Sequence, residues 1–370
     1  GSGGWRQDQP RSAGRRGPGA TLPCRMLLVG LALAWELSGP GGAPAGGRVD
    51  AASVFTAQEP SWNGAAVSTD PAAVRAAAAD ALRYLRANPT DPASNVGMFS
   101  ELGVTVDQVE QTLSRLASAA DAQLTDPAWL AAQFTYYRWT PPPGARASKL
   151  GLAPGELRLT RYLVVQVEGR ASPEPGFDQA VYADPGEPWR SRFTRRQVME
   201  GAYLRGDGAG KAEPLAWLAE AHVHDAIMQG SVEVSLPGGA RRLLNVEASN
   251  GIPYDGGKRG RDQDRYWYFE EVPEPRGYGQ PGGDHTAIGA GVTVAGDVYN
   301  LGLGRVVVIE HPSPTGTVLR LAVLTDTGGA FQPNLSQLDW FGGAFPTHQA
   351  LYAAWKDLPE RVRAGVLVAK

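Results

Sequence analysis

Cysteine is almost missing from this 370-residue chain, Cys24 being the single example, and a lone thiol excludes an internal disulfide. An excess of either charge is missing too. Lys and Arg number 35 against 38 Asp and Glu, a balance that gives nucleic acid no reason to bind. Long apolar runs are lacking: Met26 to Trp35 makes about ten residues, where crossing a bilayer takes about 20. A permanent membrane span is therefore not expected. No internal repeat recurs at a fixed period, which sets aside solenoids and propellers.

Turn chemistry, in contrast, is plentiful. Gly (47) and Pro (29) together make about a fifth of the chain, which favours many short strands over a helical bundle. With 42% hydrophobic residues the chain is globular and long enough for two domains with cores of their own. The first 45 residues read as an address label: Arg11, Arg15, Arg16 and Arg25 precede the apolar run, and Ala43-Pro44-Ala45 follows as a cleavage site. Cys24 lies before the run, where it cannot carry a lipid. The expectation is an exported protein of the periplasm or cell envelope with a cleaved signal peptide.

Residues 46–69 are small and polar and read as a linker. Asp70-Pro71 then supplies an N-cap and a first-turn proline, ahead of Val74, Ala78, Leu82 and Leu85 on one helical face. Thr105 and Gln108 form a capping box before Val109, Leu113 and Leu116; Asp126-Pro127 starts a third helix carrying Leu130, Phe134 and Tyr137. After Pro141-Pro142-Pro143 the texture changes to short apolar runs, Tyr162 to Val167, Val232 to Leu236 and Val306 to Ile309, which predict strands. One further helix is predicted around Pro214 to Met228 and another from His348 to Leu358 after Thr347, with 254–283 as a long connection. The class is mainly β with N-terminal helices.

The stretch from Leu319 to Gly343 concentrates the candidate chemistry. A strand, Leu321 to Leu324, runs into Asp326-Thr327-Gly328-Gly329-Ala330, and a short loop leads to Leu338-Asp339-Trp340-Phe341. The paired glycines allow a sharp turn and a close approach to a ligand. Asp339 among apolar and aromatic neighbours would be desolvated in a dry pocket, its carboxyl kept protonated and able to donate to a leaving oxygen. As plain structure, Asp326 caps a turn, Asp339 ends a strand and the aromatics are core.

This stretch resembles the three-aspartate (3D) signature of the membrane-bound lytic transglycosylase A (MltA) family, D-T-G-G-A-I followed by D-L-F-x-G. Upstream, Met199-Glu200-Gly201-Ala202-Tyr203-Leu204 resembles I-E-x-G-A-L, Leu215-Ala216-Trp217-Leu218 resembles L-A-W-L, Gln229-Gly230-Ser231 matches Q-G-S, and Asn250-Gly251-Ile252-Pro253-Tyr254 resembles N-G-H-P-Y. The order agrees across most of the chain. Departures are specific: Val232 follows Q-G-S in place of Gly, Gln332-Pro333 replaces the basic residue after the D-T-G-G turn, and Arg161-Tyr162-Leu163-Val164-Val165 keeps one Tyr of G-Y-Y-E-P.

The resemblance implies a double-psi β-barrel made from 70–160 and 284–370, a smaller β domain inserted over 161–283, and a peptidoglycan glycan strand between them. It implies cleavage of the MurNAc-GlcNAc β-1,4 bond with formation of 1,6-anhydro-MurNAc, by Asp339 as single acid and base. Asp326, Thr327 and Gly328 would shape the site and support the transition state; Tyr162, Gln229, Gly230, Ser231 and Trp340 would bind substrate. No cofactor or metal is implied, and cell-wall remodelling proteins are the partner class. The alternative is a double-psi barrel that binds peptidoglycan or another polysaccharide without cleaving it.

Three rival constellations are weaker. An aspartic protease needs two Asp sharing one proton, and D-T-G occurs once. His222-Val223-His224 would align two imidazoles on a strand, but the segment is predicted at a helix end, where residues two apart diverge, leaving polar surface histidines. Tyr266, Trp267, Tyr268 and Phe269 could stack on sugar, although such clusters more often pack a core.

Overall fold

Local caps set the first helices. In a computed structural model that describes residues 49–331 and 333–370, Asp70 accepts from the Ala72 and Ala73 amides to start α1 (Pro71–Ala87). The Thr105–Gln108 box starts α2 (Val106–Ser118). Val74, Leu85, Leu113 and Leu116 turn inward, each buried aliphatic side chain contributing roughly 1.5–3 kcal/mol. α3 (Pro127–Gln133) starts at Asp126 but ends sooner than expected. Phe134–Trp139 is a strand because its β-branched and aromatic side chains pair along the C-terminal strand, Phe134 opposite Ala369 and Trp139 opposite Ala364. The signal segment expected over 1–45, with Cys24, lies outside the described residues.

Six strands close into a ring. They are β1 (Leu157–Glu168), β2 (Thr293–Ala295), β3 (Val306–Ser313), β4 (Gly316–Asp326), β5 (Gln337–Phe345) and β6 (Arg361–Ala369). Their order is β6-β3-β4-β2-β5-β1, and β1 returns to β6 through Arg158 opposite Arg361 and Leu157 opposite Val362. The β2–β4 and β5–β1 pairs are parallel and the other four antiparallel. Leu159, Val294, Val323, Leu338, Trp340 and Val366 share one hydrophobic cluster with the N-terminal helices.

β1 continues past the ring, where Val165 to Glu168 pair with Ser231–Ser235, and Arg241–Ser249 and Trp267–Glu271 extend the sheet. A second cluster forms there, including Val165, Leu218, Val232 and Tyr268. Three sequence expectations are corrected in this half and at the N-terminus. Pro214–Leu218 is a strand paired with Gln179–Tyr182, and only α4 (Glu220–Gln229) is helical, because Leu215 to Leu218 form an almost wholly buried run that a single-faced helix cannot bury. The supposed connection 254–283 holds the Trp267–Glu271 and Arg276–Gly279 strands, and Tyr266 to Phe269 are core rather than a sugar platform. The supposed linker holds Phe55–Gln58, paired with Phe134–Trp139, and anchors through buried Phe55 and Trp62.

Thr347 caps α5 (His348–Ala354), shorter than expected. Among the described residues no helix is long and apolar enough to cross a membrane.

Candidate active site

The three-residue strand β2 carries the centre of the site on its last residue. Ala295 lies opposite Asp326 of β4 on one side and opposite Asp339 of β5 on the other. Residues directly opposite in a ladder point to the same face, so the two carboxylic acids face the same side across a methyl group. The alignment depends on a register shift. Val294 pairs with Leu324, yet Ala295 pairs with Asp326, so Thr325 is an extra residue. Without that bulge Asp326 would fall on the opposite face.

Both acids are enclosed, Asp326 at 4% and Asp339 at 5% exposure. Desolvation pushes each carboxyl up to about 7. Their partners differ. Asp326 accepts from Tyr162 Oη at 2.7 Å and from the Thr327 amide at 2.8 Å, one donor to each oxygen. Among the described residues Asp339 Oδ1 is buried without a hydrogen bond; hydrogen bonding to Thr160 and the charge of Arg161 draw its carboxyl down, while Asp326 pushes it up. Donors favour the anion, so Asp326 is the better home for negative charge and Asp339 for the proton.

The surroundings are apolar and mostly aromatic. Tyr162, Val164, Ile288, Ala295, Phe331 and Phe341 form a small cluster of their own, with Tyr162 and Phe341 rings 5.1 Å apart. Phe341 shares a face with Asp339, two residues away. Trp340 does not: it is fully buried on the other side, 5.5 Å from the Trp355 ring, in the main core. Strand alternation turns Leu338 and Trp340 away from the acids.

The remaining sequence candidates divide. Thr327 Oγ1 donates to Gly296 O at 2.7 Å, holding the end of β4 against the residue after β2, and the Gly328 carbonyl accepts from the Phe331 amide to form the turn. Gln229, Gly230 and Ser231 lie one element away. Gly230 ends α4 in the left-handed region, and Gln229 Oε1 accepts from the Leu163 amide at 3.3 Å, next to Tyr162 along β1; Ser231 opens the following strand and is buried. The Asn250 amide donates to the Phe193 and Asp264 carbonyls. His222 and His224 lie in the first turns of α4; His224 is buried against Arg195 and Glu220, not a surface histidine.

Sequence reasoning missed four residues here. Thr160 pairs with Asp339, Ala295 separates the acids, and Arg161 adds a buried cation. Asp297, two residues past β2, is 1% exposed and accepts from the Asn334 amide at 2.9 Å, tying the approach to β5 back to β2. A polar residue closing the short apolar run Val292 to Ala295 was its one signal.

The architecture is similar to that of solved lytic murein transglycosylases. The similar structures include a membrane-bound lytic murein transglycosylase from Agrobacterium tumefaciens, 17% identical with a TM-score of 0.57, covering 85% of this chain and 97% of that one. MltA from E. coli with bound chitohexaose is 16% identical with a TM-score of 0.56, covering 86% and 95%. MltA from Neisseria gonorrhoeae is 15% identical with a TM-score of 0.54, covering 85% and 92%. At this identity the likeness is one of fold. No protein-family model matches the chain, and no curated protein matches it.

Proposed function

We propose that the chain is a peptidoglycan lytic transglycosylase, working in the cell envelope on glycan strands. The observation that carries the reading is the pair of enclosed acids, Asp326 and Asp339, held on one face across Ala295 in a fold shared with enzymes of that name. In this reading the six-stranded ring is a double-psi β-barrel, the segment 161–283 is an inserted β domain, and the glycan lies between them. The separate hydrophobic cluster drawn mostly from residues within 163–269 supports that division.

Ordinary glycosidases use two carboxylates because an external group must attack the anomeric carbon. A lytic transglycosylase draws its nucleophile from the sugar. Protonated Asp339 donates to the glycosidic oxygen as the C1–O bond breaks, and the leaving sugar departs as an alcohol. The C6 hydroxyl then attacks C1, and the Asp339 carboxylate takes its proton, so the acid is regenerated and no water is consumed. Asp326, anionic through Tyr162 and Thr327, supports the positive charge at C1. Gln229, Gly230 and Ser231 contribute sugar or peptide contacts from the second domain.

The second reading, a protein that holds glycan without cutting it, draws on the low exposure of both acids. One experiment separates the two. Purified sacculi are incubated with wild type and with Asp339→Asn, and soluble muropeptides and co-sedimenting protein are both measured. Cleavage by wild type, with release lost but sedimentation kept in the variant, supports the enzyme. Sedimentation without release by either protein supports the binder.

A further inference from the structure

Thr325 is the residue whose insertion into β4 brings Asp326 onto the face of Asp339. An inserted residue falls out of step with the ladder, so whatever holds it bears on the acid that follows. Thr325 is fully buried and held twice. Its hydroxyl donates to Thr293 Oγ1 of β2 at 3.3 Å, a tie within the ring. Its carbonyl accepts from Thr286 Oγ1 at 2.6 Å, and Thr286 lies outside the ring, on the hairpin of Arg276–Gly279 and His285–Ala287. Thr286 is itself fully buried. Its hydroxyl has a single proton, and the other carbonyl in reach, that of Tyr278, is farther away at 3.2 Å.

The tie reaches Asp326 because a peptide unit is planar. The Thr325 carbonyl and the Asp326 amide turn together, so a bond that fixes the first fixes the direction in which the Asp326 side chain leaves the strand. Thr286 has little freedom to follow a swinging carbonyl. Its own strand is tied to α1: the Ala287 amide donates to Asp80 Oδ2 at 2.6 Å, and Arg83 donates to Asp284 Oδ2 and to the His285 carbonyl, each at 2.6 Å. The partner strand is tied to the second sheet, where the Arg276 amide donates to Asn245 Oδ1 at 3.2 Å and the Arg276 guanidinium pairs with Glu270. Gly277, next to Arg276, has no room for a methyl group beside the Thr325 carbonyl. Resting on the proposed roles of Asp326 and Asp339, we infer that Thr286 is a positioning residue: its hydroxyl, carried on a hairpin braced from both sides, holds the Thr325 bulge and so aims Asp326 at Tyr162.

Thr286→Val keeps the shape of the side chain and removes the hydroxyl, whereas Thr286→Ser keeps the hydroxyl. In crystal structures of the two variants, Asp326 Oδ2 leaves hydrogen-bonding distance of Tyr162 Oη in Thr286→Val and keeps its 2.7 Å bond in Thr286→Ser. The maximal rate of sacculus digestion falls about 10- to 100-fold in Thr286→Val, with the half-saturating amount of sacculi unchanged, and returns in Thr286→Ser. Added to Tyr162→Phe, Thr286→Val costs less than it does in wild type, because the bond it aims is already gone; losses that simply multiply would leave Thr286 a structural role alone. A folded Thr286→Val in which Asp326 still meets Tyr162 overturns the inference, as does a Thr286→Ser that restores neither readout. If Thr286→Val does not fold, Thr286→Ala is read in its place with the same expectation. If wild type releases no anhydro product, the proposed activity falls while the crystal structures still decide the role of Thr286.

Discussion

Tyr162 Oη donates to Asp326 Oδ2 at 2.7 Å, whereas among the described residues Oδ1 of Asp339 receives no donor, so two acids raised alike by burial differ in their donors. Tyr162→Phe removes one of the two donors to Asp326. A hydrogen bond to a charged group contributes about 1.5–3 kcal/mol, so the rate of sacculus digestion should fall about 10- to 100-fold. Urea unfolding should show the larger loss of stability at pH 8, where Asp326 is ionised, and the smaller at pH 5.

The acids also predict how stability varies with pH. Both hold a proton in the folded chain up to about 7, against a reference value of 3.8. Through that window the folded chain binds more protons than the unfolded chain, so these two groups lower stability as pH rises. Asp339→Asn removes one contribution. It should unfold later than wild type at pH 8, by about 4 kcal/mol, and show no such gain at pH 4; thermal melts at the two values check it.

Activity should follow the same protons. Digestion needs Asp339 protonated and Asp326 ionised, so the profile should be a narrow bell near neutral pH, falling about tenfold per unit on the alkaline side. The two apparent midpoints belong to the pair. Soluble sugar released from sacculi between pH 5 and 9 measures the curve, and a flat profile contradicts the pairing.

Gly277 tests the scaffold under Asp326. A methyl group there would lie 2.5 Å from the Thr325 carbonyl and 2.6 Å from Ile288 Cγ2, pressing on the bulge that aims Asp326. Gly277→Ala should cost about 1–3 kcal/mol, read from the urea midpoint, and should slow digestion beyond what the loss of folded protein explains.

Local signals in the sequence carried far, and non-local ones did not. Asp70-Pro71, the Thr105–Gln108 box and Thr347 each mark a helix start that the fold keeps, because a cap is a matter of a few adjacent residues. Leu215 to Leu218 form a strand that sequence alone does not separate from helix, because a short apolar run has no period to distinguish the alternatives. The D-T-G-G turn and Asp339 are legible in the sequence, whereas the face on which Trp340 lies is not, because alternation turns adjacent strand residues apart. Ala295 was invisible. Its importance comes from two strand partners far along the chain and from a register shift at Thr325, and neither leaves a mark in a three-residue strand.

The most direct measurement is the mass of the products from purified sacculi treated with the wild-type chain. If the sugar supplies its own nucleophile, the muropeptides should be lighter by one water than those of a lysozyme digest, and Asp339→Asn should yield none. Products with the hydrolytic mass, or the same lighter products from Asp339→Asn, would contradict it.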